Sequence, residues 1–147
     1  MPLPVPVPGL VIRYSYLWYS EHLAGREEGT KDRPCAVVAA LRPAEDAGEI
    51  RVLVLPVTHS RPAESAHAVE IPAVVKTRLR LDAERSWVLL SEWNEFIWPG
   101  PDVRRAPGGD ESSVAYGMLP PRFFSVIRNR FLALATAQRT RRVRRTE

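Results

Sequence analysis

Cysteine is almost missing from this sequence: Cys35 stands alone among 147 residues, so no disulfide can form within the chain. That usage suits a reducing compartment, and a cytoplasmic location is expected. Long apolar runs are missing as well. Nothing approaches the ~20 apolar residues that a membrane helix needs, so no membrane partner is expected. The opening MPLPVPVPG lacks the basic start and unbroken apolar stretch of a secretory signal. Its alternating prolines favour an extended lead-in over residues 1–8. Histidine is scarce, and His22, His59 and His67 show no spacing with Cys35 that matches a zinc site. No metal and no cofactor is expected.

What is present describes an ordinary globular chain, 45% hydrophobic and 26% charged, of a length for one domain. The net charge of +4 invites a nucleic-acid reading, but its distribution qualifies that. Residues 139–147 carry Arg139, Arg141, Arg142, Arg144 and Arg145 against Glu147, which is 5 − 1 = +4, so residues 1–138 are formally neutral. The tail is expected to be a solvated, disordered end, with electrostatic attraction to phosphates as the other reading.

Residues 10–18, LVIRYSYLW, are rich in β-branched and aromatic types and predict a strand. The polar stretch 19–32, with Gly25 and Gly29, reads as a loop. Strands are predicted at 34–41 and 50–57, with Pro56 marking an edge or the end of ladder pairing. A short strand at 68–71, a helical turn at 74–76, a loop around Asp82, and strands at 86–91 and 94–98 follow. The sequence WPGPD at 98–102 must turn, and 104–113 reads as a mobile surface loop. Pro120 and Pro121 open a helix in which Phe124, Ile127, Phe131 and Leu134 form one apolar stripe. The pattern predicts a mainly β (α+β) domain over 1–138: a small curved barrel or sheet capped by a C-terminal helix.

Three stretches, taken together, resemble the PemK/MazF family of toxins from type II toxin–antitoxin systems. They are EGTKDRP (28–34) leading into an apolar run, VLVLPVTHS (52–60), and YGMLP (116–120) before the last helix. YSYLW (14–18), KDRPC (31–35) and WPGPD (98–102) look like a longer PemK-like branch. The resemblance implies an SH3-like β-barrel, a homodimer, metal-free cleavage of single-stranded RNA, growth inhibition, and a cognate antitoxin that blocks the cleft. The same fold also implies two alternatives: a toxin that binds DNA topoisomerase without cutting RNA, or a silent antitoxin-binding relative.

Metal-free cleavage by the ribose 2′-OH needs a proton acceptor, stabilisation of the crowded phosphate, and help for the departing 5′-oxygen. Arg33 matches the family's catalytic arginine, and its planar, permanently charged fork suits two phosphate oxygens. Thr58 matches the family's threonine after the strand; its hydroxyl can donate to a phosphate oxygen or bond its own backbone. Glu28 lies five residues before Arg33, as in compact relatives, with Glu27 an equal claimant. His59 is a further proton-transfer candidate because histidine titrates near neutrality. Lys31 is placed as a phosphate-binding residue. Trp93 and Asn94 are candidates for base stacking and base reading, against core or interface packing for Trp18, Trp87, Trp93 and Trp98. Cys35, inside an apolar run, is expected to be a buried small hydrophobe.

Overall fold

The computed structural model describes residues 3–27, 29, 31–42, 48–106 and 113–145. The order is β1 (Leu10–Ser15), α1 (Tyr19–Leu23), β2 (Asp32–Leu41), β3 (Arg51–Thr58), β4 (Ala68–Glu70), α2 (Ala73–Arg78), β5 (Trp87–Leu89), β6 (Glu92–Ile97), β7 (Val103–Arg104), β8 (Ala115–Met118), α3 (Pro121–Thr136) and β9 (Arg141–Arg144).

The period-2 pattern of the central strands divides their side chains between two cores. Val11, Ala36, Val38, Leu55 and Val57 join one, which α3 covers with Phe124, Ile127, Phe131 and Leu134. Their neighbours Leu10, Ile12, Tyr14, Cys35, Val37, Val52 and Val54 join the other, closed by Tyr16 and Phe96. Both faces of β1, β2 and β3 are therefore dry, which accounts for their nearly unbroken apolar sequences. The stripe on α3 is buried at all four expected positions, with Ile127 fully enclosed.

Among the described residues, nine strands form a mostly antiparallel sheet, with β6 and β9 as the one parallel pair. A main path runs β4-β5-β3-β2-β1-β7; β6 pairs β3 and β8 pairs β1. No described pairing joins β4 to β7, so the sheet is not the closed barrel expected from sequence. β3 pairs β6 over Arg51–Val54 and β5 over Val57–Thr58, and Pro56, which has no N–H to donate, sits where the partner changes.

Two further segments differ from expectation. Residues 19–23 form a short helix rather than a loop, because Glu21 Oε1 accepts the Trp18 backbone N–H at 3.1 Å and fixes the first turn. The arginine-rich tail is ordered through Arg145: β9 pairs β6 in the register Asn94↔Val143, and Val143 is fully buried. Arg145 is buried too. Its Nη1 donates to Ser15 O at 2.6 Å and Asn94 Oδ1 at 3.1 Å, and its Nη2 lies 3.0 Å from Asp102 Oδ2. A buried ion pair with satisfied donors holds a chain end that charge alone would leave in solvent. Of the expected 104–113 loop, residues 107–112 lie outside the described part.

Candidate functional site

The β2–β3 ladder fixes the geometry of the site. Cys35 pairs with Pro56 at the end of the ladder; Arg33 and Thr58, each two residues farther out, line the same lobe of a cleft. At this open end of the ladder lies a cleft with two lobes. One, about 480 Å³, is lined by Lys31, Arg33, His59, Arg80, Asp82 and Tyr116 among others. The second, about 490 Å³, is lined by Trp18, Lys31, Arg33, Thr58, His59 and Arg61 among others. Lys31, Arg33 and His59 belong to both lobes, and Thr58 borders the second.

Arg33 is half-buried and held flat, its guanidinium carbon 4.7 Å from the centre of the Trp18 ring. Its one hydrogen bond among the described residues is long, Nη1 to Val57 O at 3.4 Å. Its Nε–H is buried with no partner among those residues. A guanidinium stacked in place with donors uncommitted is prepared for an anion. Thr58 Oγ1 accepts the Ser60 backbone N–H at 3.1 Å, so the local bond weighed from sequence does form. That bond uses a lone pair and leaves the hydroxyl hydrogen to donate.

His59 is exposed, and two carboxylates unread in the sequence bracket its ring. Nε2 lies 2.7 Å from Asp82 Oδ2, and Nδ1 lies 3.4 Å from Glu84 Oε2. Asp82 is anchored in turn by the buried Lys76, whose Nζ donates to Asp82 Oδ1 and Ser86 Oγ, each at 2.8 Å, and to Glu84 O. Burial pushes the Asp82 carboxyl up, but the Lys76 hydrogen bond and the His59 charge outweigh it and hold the group below its ordinary value. The chain Lys76–Asp82–His59 thus orients an imidazole at the cleft mouth.

His59, Asp82 and Glu84 also form the one cluster of metal-ligating side chains among the described residues. They fit a cation poorly. One ligand atom from each lies within 4.8 Å of the others, but the Lys76 ammonium already occupies Asp82 Oδ1, and the two carboxylates contact opposite ring nitrogens of His59. Tyr116 supplies a neutral O–H donor on the first lobe, its phenol pushed up by burial.

Other candidates from sequence lie elsewhere. Asn94 is fully buried, exchanging bonds with Leu17 O (2.8 Å) and Leu17 N (2.9 Å), so its amide is unavailable to a base. Trp93 packs edge-on to Phe131 of α3, 5.3 Å between ring centres, and serves the core rather than the cleft. Trp18, weighed in sequence mainly as packing, is the tryptophan that borders the cleft beneath Arg33. Glu28 lies outside the described residues; Glu27 is exposed, and its carbonyl accepts Arg145 Nη2 at 3.4 Å. Gly29 passes so close to β1 that a Cβ there would sit 2.1 Å from Tyr16 O, which fixes the approach of the chain to Lys31 and Arg33. Cys35 is fully buried, and burial pushes its thiol up, which removes it as a nucleophile. Among the described residues, no helix is long and apolar enough to cross a membrane. Compared with known proteins, the chain matches no family model and no curated protein.

Proposed function

We propose that this protein is a PemK/MazF-type toxin that cleaves single-stranded RNA without a metal, with an open sheet derived from that family's SH3-like barrel. The observation that carries the reading is the convergence of Arg33, Thr58, Lys31 and an oriented His59 on one cleft. In the reaction, the ribose 2′-oxygen bonds to phosphorus and the bond to the 5′-oxygen breaks. The 2′ proton passes to a base, and the departing oxygen takes a proton. The fragments carry a 2′,3′-cyclic phosphate and a 5′-hydroxyl.

Arg33 neutralises charge on the phosphate, where a donor placed in advance has its largest effect. Thr58 donates its hydroxyl hydrogen to a phosphate oxygen, and Lys31 adds a mobile positive charge. His59 moves a proton, positioned by Asp82; Glu28 is the other candidate for the second transfer. A homodimer, a cytoplasmic location and an antitoxin that fills the cleft belong to the same reading.

The test is incubation of the purified chain with mixed-sequence single-stranded RNA in excess chelator, with the ends of the products identified. Cleavage to cyclic phosphate that disappears in Arg33→Ala is expected. Cleavage that survives that substitution would sink the assignment of Arg33. No cleavage of any RNA would favour the non-catalytic toxin that binds a protein such as topoisomerase.

A further inference from the structure

We propose that an RNA strand leaving the cleft crosses Trp18 and Tyr19 and lies along the arginines of β9, making β9 a phosphate-binding rail outside the reacting centre. The inference rests on the RNA reading above and extends it to a second surface. Two aromatic rings, each carrying a guanidinium, link the two places. Arg33 lies over Trp18 at 4.7 Å, and Arg141 of β9 lies over Tyr19 at 5.9 Å. Trp18 and Tyr19 are consecutive and both half-buried, and they carry Arg33 and Arg141 respectively; Glu92, which accepts the Tyr19 N–H at 3.0 Å and pairs with Arg141 in the β6–β9 ladder, sets one carboxylate beside them. Aromatic faces interleaved with cations are how single strands are held with little regard to sequence.

β9 then presents charge in excess of what the fold uses. Arg51, Arg142 and Arg144 surround the single carboxylate of Glu95 at 3.3, 3.8 and 3.1 Å, which leaves 3 − 1 = +2 at that cluster. Arg141 points to the opposite face of β9, toward Tyr19, so the RNA strand must cross the edge of β9 to reach Arg142 and Arg144. β9 pairs only with β6 among the described strands, with α1 packed against it. Arg144 also lines a groove of about 250 Å³ with His22 and Arg26, beside the segment leading to Lys31; Glu21 offsets Arg26 at 3.7 Å. The competing role, arginines that merely keep a strand edge from pairing with another chain, requires no RNA binding.

The two roles separate in a binding experiment on the full chain with fully 2′-O-methylated RNA, which cannot be cut. Anisotropy of labelled 4- and 12-nucleotide oligomers is followed as salt rises, for wild type and for Arg141→Gln/Arg142→Gln/Arg144→Gln. Wild type should bind the longer oligomer more tightly. The triple variant should lose most of that advantage and keep its affinity for the shorter oligomer within about twofold. Its slope of log K against log salt should flatten by about 2, near 0.7 for each phosphate no longer neutralised. Equal affinities and slopes for variant and wild type, or no length advantage in wild type, overturn the rail. Should the triple variant fail to fold, Arg141→Gln alone, outside the Glu95 cluster, must flatten the slope by about 0.7; an unchanged slope is equally fatal. Cleavage of ordinary RNA is scored separately. Length-dependent binding without cleavage sinks the nuclease reading and keeps the rail, while cleavage with an unaffected triple variant does the reverse.

Discussion

Arg33 and Arg145 are the same side chain in opposite circumstances. Arg145 is nearly sealed, with 2% of its side chain exposed, and its donors are distributed over Ser15, Asn94, Glu27 and Asp102. Arg33 stacks on Trp18, yet it makes one long hydrogen bond and keeps a buried N–H unpaired among the described residues. Fully matched donors make a guanidinium a structural clasp; unmatched donors held in a fixed plane make it a receptor. The burial of an arginine therefore says less about its role than the completeness of its hydrogen bonding.

The comparison breaks most visibly in stability. Arg145→Ala strands the Asp102 carboxylate and should lower unfolding free energy by about 3–5 kcal/mol, read from urea midpoints at unchanged slope. Arg33→Ala removes one long hydrogen bond and the stack on Trp18 but strands no buried charge among the described residues, so it should cost about 1 kcal/mol in the same assay. In cleavage the order reverses. Arg33→Ala should reduce the rate by about 10²–10³, or roughly 2.7–4 kcal/mol of transition-state stabilisation, and Arg33→Lys should recover only part, lacking the planar fork. A destabilised but folded Arg145 variant should cut RNA at close to the normal rate below its melting range. Thr58→Val should slow cleavage by up to about tenfold, the value of one net hydrogen bond of about 0.5–1.5 kcal/mol. An undiminished rate would assign Thr58 to its turn with Ser60 alone.

The smallest effect concerns acid. The Asp82 carboxyl is held below its ordinary value, so its contribution to stability is present above pH about 4 and disappears as pH falls through the lowered folded value. Asp82→Asn lacks that dependence. The stability difference between wild type and variant should shrink on going from pH 5 to about pH 2; a constant difference would show that the Lys76–Asp82 pair contributes no charge-dependent stability.

The sequence shows the strands at the heart of the sheet and the closing helix clearly, because both faces of β1–β3 and the stripe of α3 are written in apolar residues. It conceals β9, where Val143 is the one apolar residue among arginines and the decisive partner lies in β6. Arg33 and Thr58 are singled out in the sequence through the family resemblance, and the two recognisable strands that carry them bring both to one cleft. Asp82 is not, standing 23 residues from His59 with no periodic signal to join them. Asn94 misleads for a physical reason: an amide in a strand looks like surface chemistry, but its donors and acceptor replace backbone pairing for Leu17 in the interior. The exchange of β6 for β5 along β3 is equally hidden, since it depends on which distant strands meet each half of β3.

The burial of Cys35 supplies the chain with a built-in clock. The single thiol lies two residues inside Arg33 on the same face of β2, enclosed on every side and reluctant to ionise. An alkylating reagent can reach it only when the β1–β2–β3 layer parts, so the labelling rate counts openings of the platform that carries Arg33 and Thr58. A ligand filling the cleft should slow that count, in proportion to how tightly it holds the platform shut.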